Sequence, residues 1–91
     1  MKKDVLKVLA YTLVYGLDLY GVKHTNLDCG KDNLASYFVE KIGWTKERLK
    51  RVVSLLVKEQ MFQKAPAEAG MKFYKMSQKT ILKIELALCD F

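Results

Sequence analysis

The stretch from residue 33 to residue 76 constrains the fold more than any other part of the chain, because it reads helix, tight turn, basic helix, strand, small-residue turn, strand. Leu34, Ala35, Phe38, Val39 and Ile42 make the apolar side of a first helix. Asp32 is placed to cap it, since a carboxylate accepts from the free amides of a first turn. Gly43 then supplies the backbone freedom of a turn, including a positive φ. Thr45 is positioned as the N-cap of the next helix, over 45–59. In that helix Leu49, Val52, Val53 and Leu56 follow the i, i+3, i+4, i+7 rule of an amphipathic seam. Residues 61–65 and 71–76 read as strands, with Pro66 and Gly70 framing the turn between them.

The flanks are apolar. Residues 4–19 have helical periodicity, with Val5, Leu6, Leu9, Leu13 and Leu17 near one face and Val8, Tyr11, Val14 and Tyr15 on the other. A helix apolar nearly all round has to be covered on more than one side, and a partner subunit is a natural second cover. Gly16 and Gly21 bracket its end. Two readings stay open for the segment after it: a brief strand at Val22, or a short capped turn at Thr25, Asn26, Leu27 and Asp28. Ser77 can cap a last helix over 78–90, whose apolar residues are Ile81, Leu82, Ile84, Leu86 and Leu88, with Phe91 after it.

Ninety-one residues make one domain with a modest core, one that hides roughly 60–70 % of its unfolded surface. Apolar residues are 51 % of the chain, which argues against disorder. The longest apolar run, 5–19, is interrupted by Lys7 and Asp18 and is short of a membrane span. Its tyrosines and the lack of a small-residue cleavage pattern near Gly16 argue against a secretory signal. The net charge is +6, and its placement carries more information than its size. Residues 41–83 hold eleven basic side chains against three acidic, whereas the remainder holds five against seven. A cationic segment of this kind attracts polyanions through Coulomb force and counterion release. Cys29 and Cys89 read as free thiols of an intracellular protein, with a single disulfide as the other possibility. His24, Asp28 and Cys29 lack the fourth, closely spaced ligand of a zinc site, so no metal is expected. One histidine, no framed pair of carboxylates and no Gly-rich phosphate loop leave no catalytic constellation, so neither an enzyme nor a cofactor is expected.

Ile42, Gly43, Leu49 and Val52 stand at the spacing of a helix-turn-helix: an apolar residue, the turn glycine, then apolar residues six and nine positions on. With the hairpin behind it, the chain resembles the winged helix-turn-helix superfamily, and no closer family is identified. Val39 departs from the pattern, since a small residue is usual four positions before the glycine; the departure bears on the distance at which the helices cross. The resemblance implies a mostly α fold with a small β-hairpin: a three-helix core, a two-stranded wing and a C-terminal helix. It also implies a sequence-specific double-stranded DNA-binding protein, a small intracellular transcriptional regulator acting as a homodimer, with helix 45–59 in the major groove. On a helical wheel with Leu49 at the core, Glu47, Arg51, Ser54 and Lys58 lie opposite, flanked by Arg48 and Lys50. Glu47, Lys50 and Arg51 are then the base-reading candidates. Thr45, Lys46, Arg48, Ser54 and Lys58, with Lys64, Lys72 and Lys75 of the wing, are the phosphate candidates. Val8, Tyr11, Tyr15, Leu82, Leu86 and Phe91 are the expected dimer interface. Trp44 has two readings, packing against Phe38 or anchoring a partner. Of Phe73 and Tyr74, at least one belongs in the core by strand alternation. The alternative function is a protein–protein interaction module within a larger transcription or replication assembly. Glu47 on the reading face and a wing tip without arginine favour it.

Overall fold

The computed structural model describes residues 2–30, 32–65, 72–76, 80–82 and 86. Helix α1 spans Lys2–Tyr15 and turns Val8, Leu9, Tyr11 and Thr12 inward. It stops at Gly16, whose amide donates to the Thr12 carbonyl at 2.8 Å. A Cβ at Gly16 would collide with that same carbonyl oxygen, so glycine is needed for the chain to leave the helix there. The chain then runs out as β1, Leu17–Leu19, and returns as β2, Val22–Asn26. Tyr20 and Gly21 join them with φ of 54° and 75°. Two consecutive left-handed residues are the signature of a type I′ turn, whose twist suits a two-residue hairpin loop.

After β2, the Asn26 side chain accepts from the Cys29 amide at 2.7 Å and closes a turn. Asn33 is buried and ties the next segment together. Its amide nitrogen donates to the Gly30 carbonyl at 2.9 Å, its side-chain oxygen accepts from the Ser36 amide at 2.8 Å, and its carbonyl accepts from the Tyr11 hydroxyl at 3.2 Å. The cap expected of Asp32 is therefore made one residue later. Leu34 and Ala35 begin an α turn that widens into a π-helical segment, Ser36–Lys41. The Ile42 amide donates five residues back to Tyr37 at 3.0 Å, and the Trp44 amide donates to Phe38 at 2.7 Å. This winding turns Phe38 fully inward and leaves Ile42 exposed, against its expected place on the buried face. Gly43 follows with φ of 81°, as the turn requires.

Helix α2, Lys46–Lys58, is the most regular element. Leu49, Val52, Val53 and Leu56 are all buried, as the seam predicts. The Thr45 hydroxyl accepts from the Arg48 amide at 3.1 Å. At the other end Gln60, at φ 61°, donates to Val57 at 3.0 Å, and Met61 donates to Leu56 at 2.9 Å. This pair of bonds is a Schellman closure with glutamine in the position that glycine usually fills. The closing loop takes Met61 and Phe62, the latter buried, so the next strand β3 covers Gln63–Ala65. Strand β4 covers Phe73–Met76.

All four strands form one antiparallel sheet in the order β1-β2-β4-β3. Thr25 faces the same side as its partner Tyr74, and Met76 shares that side; all three are buried. The helices cover this face. The core joins Val8, Leu9 and Tyr11 of α1, Leu34 and Phe38, the α2 seam, and Tyr74 and Met76. The Cα radius of gyration is 12.4 Å, against about 12 Å expected for a chain of this length. Among the described residues no helix is long and apolar enough to cross a membrane.

The expected fold class is corrected on two counts. Among the described residues two substantial helices, α1 and α2, stand where a three-helix core was expected, because the segment between them winds as a short π turn. The sheet has four strands where a two-stranded wing was expected, because residues 17–26 form a hairpin that pairs with β4. The architecture is α/β, with helices on one face of an antiparallel sheet. Helix α1 also ends four residues before the expected position, since 17–19 pair as a strand. The turn at 66–70 lies outside the described residues. So does most of the expected helix over 78–90, of which 80–82 and 86 are helical.

Candidate nucleic-acid interface

The basic helix is held by its buried seam and by a contact at its N-terminal end. The Arg48 guanidinium donates to both oxygens of Asp4, from Nε at 2.9 Å and from Nη2 at 2.8 Å. The same guanidinium lies 4.3 Å from the centre of the Trp44 ring, which packs in turn against Phe38 in a tilted contact at 4.5 Å between ring centres. The hydrogen bonds from Arg48 hold the Asp4 carboxyl below its ordinary pKa, and Asp4 holds the Arg48 guanidinium above its own. Arg48 is therefore a structural cation, fixed between α1 and the turn. Trp44 packs inside, 6 % exposed, which decides between its two readings.

The outward side of α2 is different. Lys46, Glu47, Lys50, Arg51, Ser54 and Lys58 are exposed. Among the described residues the ion pairs are Asp4 with Arg48 and Asp18 with Lys23, so none of these α2 side chains is paired with a described acid. Thr45, also exposed, keeps its hydroxyl near the helix start, where it already serves as the cap. Of the residues read from sequence, the structure brings Glu47, Lys50, Arg51, Ser54 and Lys58 onto the solvent side of one helix.

The strand lysines divide. Lys64 and Lys72 line a groove of about 490 Å³ between α2 and the hairpin, together with Lys50 and Ser54. Lys75 pairs with His24 and Gln63 on the other face of the sheet, opposite the side of Tyr74 and Met76, and does not join that group. Tyr74 is the core member of its pair, with its hydroxyl pKa raised by burial and by nearby Asp28.

The expected dimer residues also divide. Val8 and Tyr11 are buried in the protein's own core, Tyr11 bonded to Asn33 and packed on Phe38 at 5.6 Å, so neither is available to a partner. Tyr15, Leu82 and Leu86 are exposed, as is Val14, which the sequence placed beside Tyr15. Phe91 lies outside the described residues. Two features escaped the sequence: the engagement of Arg48 by Asp4, and the groove whose apolar floor comes from three separate elements. Both depend on long-range contacts that no local pattern announces. Cys29 is a free thiol, and no cluster of metal-ligating side chains occurs among the described residues.

No protein-family model, curated protein or solved structure matches this chain.

Proposed function

We propose that the protein binds double-stranded DNA with α2 laid in the major groove, and serves as a small transcriptional regulator. The observation that supports this most is the exposed row Glu47, Lys50, Arg51, Ser54 and Lys58, without described acidic partners, on a helix anchored through its opposite side. Lys50 and Arg51 can donate to O6 and N7 of guanine, and Glu47 can accept from N4 of cytosine. Lys46, Lys58, Lys64 and Lys72 meet phosphates, and the hydroxyls of Thr45 and Ser54 lie beside them. Val14, Tyr15, Leu82 and Leu86 are exposed apolar side chains that a second copy can cover. Paired copies then read two half-sites about 34 Å apart. Sedimentation tests the pairing, and a monomer at high micromolar concentration removes it.

The deciding experiment is retention of random-sequence duplex DNA across a salt series. Binding is expected to be strong at about 50 mM salt and to fall steeply as salt rises. Arg51→Ala and Lys50→Ala are each expected to weaken it. No retention at low salt, or retention indifferent to both substitutions, overturns the proposal. Glu47 within the cationic row supports a second reading, a protein-interaction module, and the groove beside α2 gives that reading a specific form.

A further inference from the structure

The groove between α2 and the β3–β4 hairpin has a floor that a phosphodiester backbone cannot use. Leu27, Val53 and Tyr74 are buried beneath it, Val57 is half-buried along it, and Phe73 borders it from a β4 position that alternates to the opposite face. Lys50, Lys64 and Lys72 stand exposed on its rim, with no ion pair among the described residues, and no described acid lines it. An adjoining depression toward the N-terminal end of α2 shares Leu27 and Lys50 with the groove and is charge-balanced, with Asp28 and Glu40 lining it beside Lys46 and Lys50. The purely cationic rim is thus confined to the part of this flank that faces β3 and β4. Lys50, Val53, Ser54 and Val57 recur at i, i+3, i+4, i+7, so a full stripe of α2 faces the groove. The centre of that stripe is turned roughly 65° about the helix axis from the row proposed to meet DNA, and the two share Lys50 and Ser54.

We infer that this groove docks an acidic peptide segment of a partner protein, with apolar side chains on the floor and Asp or Glu carboxylates on the three lysines. Charge complementarity selects an anionic partner. The aliphatic and aromatic floor selects a polypeptide over a nucleic-acid backbone, which has no apolar side chain to bury there. From Lys50 to Val57 the stripe runs about 10.5 Å, enough for roughly three residues of an extended chain. The volume of about 490 Å³ lies within the roughly 300–1,000 Å³ common to ligand sites. This inference stands apart from DNA binding. Because Lys50, Ser54, Lys64 and Lys72 are assigned to both ligands, the peptide and duplex DNA compete.

The test is fluorescence anisotropy with a labelled synthetic peptide carrying Phe and Leu between Asp and Glu residues, measured without DNA. The Asn/Gln version of the peptide, and separately the Lys64→Glu, Lys72→Glu double variant, are each expected to lose at least about tenfold in affinity. Ser54→Trp, which fills the groove without touching its charge, should also abolish binding. Arg51→Ala with Lys58→Ala should leave peptide affinity within about twofold while weakening DNA retention. Amide shifts on titration should concentrate at Val53, Val57 and Phe73. Equal binding of the neutral peptide, or indifference to both groove variants, overturns the inference. So does a peptide that fails to bind while the lysine reversals weaken only DNA retention, since the groove then belongs to phosphates.

Discussion

Arg48 and Lys50 are two residues apart on the same helix, yet they sit on flanks with opposite roles. The flank toward α1 closes on itself: Asp4 takes the guanidinium by two hydrogen bonds, and Trp44 lies under it. The flank toward the hairpin stays open, with Lys50, Lys64 and Lys72 unpaired among the described residues and an apolar floor between them. The difference arises from which acid folds alongside, and Asp4 is 44 positions from Arg48 in sequence. A tally of basic residues therefore overstates the cations available to a partner, and tertiary structure decides which of them are internal.

Three substitutions test that contrast. The largest effect is expected from Trp44→Ala, which removes the ring packed on Phe38 and the platform beneath Arg48. It should cost about 3–5 kcal/mol in urea unfolding, and a loss below about 1 kcal/mol would show that this flank carries no structural weight. Asp4→Asn comes next. The folded pKa of Asp4 lies below its reference of 3.8, so its contribution is complete above that pH and disappears as pH falls through the lower folded value. Asp4→Asn should lower the melting temperature at neutral pH and flatten the decline of stability on the acid side. It also releases Arg48, so DNA retention at low salt should rise. An unchanged pH profile would show that the pair is not formed in solution. Lys50→Ala should have the smallest effect on folding, within about 0.5 kcal/mol, while weakening both DNA and peptide binding. A loss of stability as large as that of Asp4→Asn would erase the distinction between the flanks.

The parts of the fold that were legible in advance are those set by neighbours in sequence. The α2 seam, the Thr45 cap and the positive φ at Gly43 each depend on a few consecutive residues. Strand β1 was hidden because Leu17 continues the helical period of α1, and because the turn that reverses it carries Tyr20, a residue rarely used at φ above zero. A helical wheel gives relative directions and no absolute one. Val8 and Tyr11 could thus be assigned to a partner when they face the protein's own core. The exposed row of the candidate site was readable because it lies on one regular helix, whereas the fate of Arg48 required the packing of α1 beside α2, and the division of the strand lysines required the sheet register.

The π-helical turn at Ser36–Lys41 makes this segment sensitive to length more than to composition. A π turn holds one residue more than an α turn, and that surplus sets how Phe38 meets Trp44 across Gly43. Glu40 and Lys41 are exposed and should tolerate many replacements. Deleting either one shifts the helical phase by about 100° and rotates the aromatic pair out of register. Single-codon deletions here should therefore inactivate where missense changes at the same codons are silent.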